Sequence, residues 1–376
     1  MDLSYTNEQN LIRDSVQRFA RDSYPFDARR RLGETSEGFS RGTWKTFAEL
    51  GWLGVALPEA YGGSGGSAVD VMILMEAFGR ALVVEPYFTA AVLGGTALLL
   101  GGSEAQKRSL LPRLAAGELL PTLAFAEPQS RFDLGDVQTT ARQDGAGFVI
   151  DGAKSVVFHA VSADIVIVPA RTSGERRDEH GISLFLVEGD AAGLTRRDYP
   201  TVDGHRASEL KFENVRVGGD ALLGARDAAL PLIETVVDHG TSAVCAEAVG
   251  IMAALYEATL EHLKTREQFG QPIRRFQVLQ HRMVDIFAMC EQARSMALMA
   301  ALTVGGPDPT ARRKAVSAAK NYIGRAGRFV SQQAVQLHGA MGMTDELIIG
   351  HYFKRLTMID TLFGNADHHL ERFGRL

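Results

Sequence analysis

The sequence predicts an α+β protein whose sheet is segregated in the middle of the chain. Three observations carry this. Apolar residues recur at helical spacing from Thr6 to about Leu120, and short β-rich runs separated by turn residues fill Pro121 to about Leu223. Long helical patterns return from Ala228 onward. The order helix, strand, helix divides the chain into an N-terminal α-helical domain (1–120), a middle β-domain (121–227) and a C-terminal helical bundle domain (228–376).

Each element has a local reason. Thr6-x-x-Gln9 reads as a capping box, after which Leu11, Ile12, Val16 and Phe19 share one helix face. Gly62 to Gly66 makes a loop before a helix carrying Val71, Leu74, Met75 and Phe78. The apolar run Ala90 to Leu100 is broken by Gly94 and Gly95. It reads as a buried helix, because a membrane span needs roughly 20 apolar residues. Phe148-Val-Ile150, Ile165 to Val168 and Ile182 to Val187 are predicted strands, with Asp151-Gly152 and Gly181 as breaks. Further helices end near Lys264 and cover Phe276 to Val304 and Pro309 to Leu337. Gly305-Gly306-Pro307 parts the last two.

Composition narrows the function classes. The chain has 376 residues, 45% of them hydrophobic and 23% charged, with a formal net charge of −5 and no dense Lys/Arg run. That balance argues against nucleic acid or membrane as a partner. The opening residues have no basic region and no apolar core, so no signal peptide and a cytoplasmic location are expected. Cys245 and Cys290 sit in helical patterns and read as small buried hydrophobes. No metal site is expected. His368 and His369 lack partner ligands nearby in sequence and read as surface or interface residues.

Two motifs carry chemistry. The first runs Thr265-Arg-Glu-Gln-Phe-Gly-Gln-Pro-Ile-Arg-Arg-Phe-Gln277. Arg266 offers paired donors to a diphosphate and Phe269 a flat surface for an adenine or ribose. Gly270 lets backbone approach closely, and Gln277 can donate and accept at a base edge. The second is Gln336-Leu337-His-Gly339-Ala340-Met-Gly342, where the glycines clear space and aim backbone N–H groups at phosphate. Alone, such a glycine turn is more often a helix cap.

Together and in this order, the motifs resemble those of the acyl-CoA dehydrogenases, and the resemblance covers essentially the whole chain. It implies that family's fold: N-terminal helical domain, small middle β-barrel and C-terminal four-helix bundle. It also implies FAD as cofactor, an acyl-CoA as substrate and an electron-transfer flavoprotein as acceptor. In that family the two motifs hold the adenine and diphosphate of a neighbouring subunit's FAD. Arg266, Phe269, Gln277, Gln336, Leu337, Gly339, Ala340 and Gly342 are the matching positions here.

The ring side departs from the family pattern. Thr-Glu-Pro becomes Ala126-Glu127-Pro128, and Trp-Ile-Thr becomes Val156-Val157-Phe158, so Ala126 and Phe158 lack the hydroxyls that hold the flavin ring. The carboxylate that removes the acyl α-proton is also missing. Its usual position is Phe363, followed by Gly364 and Asn365, and its alternative position is Gly240. Glu247, about 10 Å further along the same helix, is a weak substitute, and Asp238, Asp360 and Asp367 are weaker.

This combination resembles the non-catalytic β-type subunit of the heterotetrameric enzymes that act on steroid side chains or other bulky or dicarboxylic acyl-CoAs. There a homologous α-type subunit supplies the ring contacts and the Glu. Two other readings stay open. One is an independently active homo-oligomer with a displaced base; the other is a non-enzymatic scaffold that binds no flavin.

Overall fold

The computed structural model describes residues 4–376; residues 1–3, part of the segment read against a leader, lie outside the described residues. The first zone holds α1 (Asn7–Asp22), α2 (Phe26–Leu32), α3 (Arg41–Glu49) and α4 (Ala68–Ala81), then α5 (Gly95–Gly101) and α6 (Glu104–Ala115). The capping box forms as expected, with Gln9 N donating to Thr6 Oγ1 at 3.2 Å and Thr6 N donating to Gln9 Oε1 at 3.1 Å. Val16 is fully buried, but Leu11 is exposed, which corrects the expected apolar face. The two positions point about 140° apart around a helix. The apolar run begins as a π-helix, Tyr87–Gly94, before α5, and most of it is buried.

The middle zone is an eight-stranded sheet. Its strands are β1 (Pro121–Leu123), β2 (Thr140–Asp144), β3 (Gly147–Phe158), β4 (Ile165–Arg171), β5 (Ile182–Glu188), β6 (Leu194–Pro200), β7 (Arg206–Val217) and β8 (Leu222–Leu223). The order is β6-β7-β3-β2-β4-β5-β8, with β1 added parallel to β4. The path ends at β6 and β8, so the expected barrel is an open one. Phe148, Ile150, Val168, Phe185, Leu210 and Phe212 form its core. Asp151-Gly152 does not break β3. Instead the register shifts at Gly152, whose φ of 148° and contact with Thr139 make it a bulge only glycine fills.

The last zone holds α7 (Leu230–Thr265), a hairpin of β9 (Glu267–Gln268) and β10 (Gln271–Pro272), then α8 (Gln277–Val304), α9 (Pro309–His338), α10 (Ile348–Thr361) and α11 (Ala366–Gly374). α9 packs against α8, α10 and α11. By length and composition α7 is apolar enough to cross a membrane, yet 72% of its apolar window is buried within the protein. It is therefore better explained as the core helix of the bundle. Cys245 on α7 and Cys290 on α8 are buried as expected, and burial pushes both thiols up to about 12.

By contact the chain groups into two compact units. One joins the chain up to Arg30 with Ala68–Val83 and Thr241–Leu376; the other joins Arg31–Ser67 with Val84–Gly240. The N-terminal helices are thus divided: α1 and α4 belong with the bundle, α3, α5 and α6 with the sheet.

Within the first unit α4 and α7 touch backbone to backbone. A Cβ on Gly250 would lie 1.8 Å from Glu76 O, and one on Gly79 would lie 2.1 Å from Glu247 O. Neither helix can yield locally, because both contacts are main chain. A Gly250→Ala substitution is therefore expected to cost about 3 kcal/mol in chemical denaturation, at the upper end for one added methyl group. A cost near zero would mean that the crossing is looser than described.

Candidate functional site

The first motif is a rigid finger between two helices. α7 stops at Thr265, and β9 and β10 pair across the two-residue loop Phe269-Gly270. Both loop residues have positive φ, 53° and 73°, the type I′ geometry that matches strand twist. Ile273 N donates to Arg266 O at 2.9 Å and closes the finger. Phe269 sits at its tip, 89% exposed, with only an edge contact to Phe276 at 6.0 Å. Arg266 is exposed, and Gln277 opens α8. A phenyl ring on an ordered turn with almost no intramolecular cover is apolar surface held ready for contact.

The second motif ends α9. Gln336 and Ala340 are exposed, while Leu337 and Gly342 are buried. Gly339 has φ 63° and ψ −145°, a conformation essentially restricted to glycine. A Cβ on Gly342 would lie 2.9 Å from Val335 O, so the turn folds tightly back on its own helix. Gly339 is thus both a helix cap and part of the motif. The two motifs come close where the ring of His262, a turn before Arg266, stacks on that of His338 at 4.4 Å.

The ring-side positions also lie together. Ser155 N donates to Ala126 O at 2.9 Å, which ties Ala126 to β3, the strand that ends in Phe158. Thr122 Oγ1 occupies the Phe158 carbonyl at 2.8 Å. Neither Ala126 nor Phe158 brings a hydroxyl to this surface.

Behind it stands a polar scaffold that sequence reasoning missed. Glu127 accepts from Lys154 Nζ at 2.7 Å and from the N–H groups of Gln138 and Thr139. Burial alone would raise the Glu127 carboxyl; the Lys154 charge and these hydrogen bonds bring it below the usual range. Arg171 donates to the carbonyls of Gly135, Val137, Arg176, Asp178 and His180, clamping two loops. The hydrogen bond from Arg176 holds Asp136 down at about 2. Pairs such as Glu127–Lys154 and Asp136–Arg176, 27 and 40 residues apart, leave no periodic signal.

The base positions offer no available carboxylate. Gly240 is buried in α7. Phe363 is buried at a φ of 58° after α10, in a turn built with care. Lys320 Nζ donates to Asp360 O at 3.0 Å and Gly364 O at 2.6 Å, and burial brings its ammonium down to about 8. His369 Nε2 lies 3.1 Å from Phe363 O. His369 is buried, which corrects the surface reading; His368 beside it is half-buried.

Glu247 is held by Arg355 through both oxygens at 2.6 and 2.7 Å. Asp360 is paired with Arg328 at 3.1 Å, Asp238 is fully buried and Asp367 is exposed.

Comparison with known proteins decides the family. The chain matches family models for the acyl-CoA dehydrogenase N-terminal domain over residues 6–118, the middle domain over 122–215 and the C-terminal domain over 230–375. It is 34% identical to the probable acyl-CoA dehydrogenase YngJ of Bacillus subtilis, across 98% of this chain and 97% of that one. The chain belongs to the acyl-CoA dehydrogenase family.

Two solved structures of related proteins align along nearly their whole length. A variant of the steroid ACAD Tcur3481–Tcur3483 has a TM-score of 0.88 at 29% identity, covering 98% of this chain and 97% of that one. The ChsE4–ChsE5 complex of Mycobacterium tuberculosis has a TM-score of 0.89 at 25% identity, covering 100% and 98%.

Against the family pattern, the residues present fit one half of an FAD and not the other. The exposed Arg266 and Phe269 and the tight glycine turn suit an adenine and diphosphate. Ala126 and Phe158 give a flavin ring no hydroxyl, and Phe363 gives an acyl α-proton no acceptor.

The buried His369 yields a pH prediction. Burial pushes it down to about 2, far below its unfolded value, so its contribution is complete above the ordinary histidine range and lost as pH falls. Between about pH 6 and 3, wild type should lose up to about 1.4 kcal/mol per pH unit more than His369→Gln in urea titrations. Equal slopes would contradict the buried assignment.

Proposed function

We propose that this chain is the FAD-sharing β-type subunit of an α2β2 acyl-CoA dehydrogenase. Its finger at Arg266, Phe269 and Gln277 and its turn at Gln336, Leu337, Gly339, Ala340 and Gly342 hold the adenine and diphosphate of a partner's FAD. The homologous α-type partner supplies the ring contacts and the carboxylate. The three-domain division at 120 and 227 belongs to this reading. The observation that carries it is Phe269, almost bare at the tip of an ordered turn beside Arg266, in a chain with no available carboxylate at either base position.

Helix geometry supports the same reading. From Gly240 to Thr265 the chain runs 25 residues along α7, about 37 Å. That is longer than an extended FAD, so the finger cannot serve chemistry placed at the Gly240 end of the same subunit. Two structural neighbours, a steroid ACAD with two named components and a ChsE4–ChsE5 complex, favour a two-chain enzyme and a bulky acyl-CoA as substrate class. When bound, FAD accepts the hydride. This chain's part is to bind its distal half and keep it oriented, with electrons leaving to an electron-transfer flavoprotein. Glu247 is not offered as a displaced base, because Arg355 engages both of its oxygens.

The test is an Arg266→Ala variant co-expressed with the homologous partner. Losing charge-assisted hydrogen bonds to a diphosphate, about 1.5–3 kcal/mol, should weaken FAD binding by roughly 10- to 150-fold. Unchanged FAD affinity in the intact complex would remove the finger from the cofactor site.

A further inference from the structure

The contact that joins the two motifs is itself unusual. His262 lies on α7 one turn before Arg266, and His338 is the last residue of α9, directly before the Gly339–Gly342 turn. Their rings stack face to face, 4.4 Å between centroids and 25° between planes. His338 is buried and His262 half-buried. The His338 Nδ1 lies 2.8 Å from Ala334 O, so that nitrogen carries the proton and the neutral ring keeps its lone pair on Nε2.

We infer that His262 and His338 are positioning residues: their stack holds Arg266 and the glycine turn toward one diphosphate-bearing ligand, and it holds only while the rings are not both charged. This rests on the half-site reading. Two neutral imidazoles stack as flat apolar faces. Two imidazolium rings at this separation repel each other, and Arg266 adds a third positive charge one turn away.

The groups facing the pair leave that repulsion unrelieved. From α7 they are Arg266 and, further back, Glu261, which is paired with Lys264 at 3.6 Å. From α9 it is the Ala334 carbonyl, which accepts from His338 Nδ1 at 2.8 Å. Among the described residues no carboxylate acts on either ring. Burial holds both rings below the ordinary histidine range, and for His262 the neighbouring His338 and Arg266 add to the effect. The stacked, neutral state is therefore present at neutral pH and lost as pH falls through these depressed values.

The experiment uses the chain in complex with its homologous partner and reads FAD dissociation between pH 8 and 5. Wild type should weaken progressively toward the acid end. His262→Phe keeps a stackable ring without a second charge, and should bind FAD with little change across the range. His262→Ala should bind weakly at every pH. Identical pH curves for wild type and His262→Phe would overturn the inference.

Failure of the half-site reading is separable. It would appear as FAD binding indifferent to Arg266→Ala, and the stack would then be judged by histidine ring resonances, with only this chain labelled in the complex. Two coupled titrations below the ordinary range, with the His338 midpoint rising in His262→Phe, support the inference. Independent titrations at ordinary values overturn it.

Discussion

The rigidity of α7 is the constraint on which the rest of this molecule depends. A continuous helix of 36 residues is a rod of about 54 Å, and its ends cannot serve one small molecule together. Gly240, where some members of the family place the catalytic carboxylate, lies ten residues in from the first end, about 37 Å from the Arg266 finger at the other. The rod is also fixed in the bundle, because Gly79 and Gly250 let α4 and α7 meet at main-chain distance. On the proposed reading, what Arg266 and Phe269 contact belongs to a neighbouring subunit.

The Phe363 turn is held by buried polar groups although its own side chain is apolar. Lys320, a buried ammonium on α9, spends its hydrogen bonds on the carbonyls of Asp360 and Gly364, and His369 braces Phe363 O. Burying such polar groups is costly unless each finds a partner, so this turn is a defined structure and not a relaxed loop. The same holds in the sheet, where Lys154 pairs with Glu127 beside Ala126 and Arg171 ties together the loops at 135–137 and 176–180. These supports hold Ala126, Phe158 and Phe363, positions that bring neither hydroxyl nor carboxylate, which is the basis of the half-site reading proposed above.

Much of this was legible in the sequence. The Thr6 capping box, the strands around Ile165 and Ile182, and the helices on either side of Gly305-Gly306-Pro307 follow from local periodicity and turn chemistry. Leu11 was misplaced because an edge position on a helix face is decided by packing. Gly152 was read as a break because a bulge and a strand end share the same residue. The Glu247–Arg355 pair joins positions 108 residues apart, and buried His369 depends on Ser317 and Phe363 closing around it. No local pattern encodes such partners. The His262–His338 stack was invisible for the same reason, although His262 lies just before the first motif and His338 within the second.

The central claim is that this chain holds half of a flavin site and a partner holds the rest. Flavin absorbance near 450 nm, set against native mass, tests it most directly on the chain purified alone and on the chain co-purified with its homologous partner. The account predicts a colourless chain alone and one FAD per pair of chains in the complex. Full FAD occupancy with dehydrogenase activity in the chain alone would contradict it.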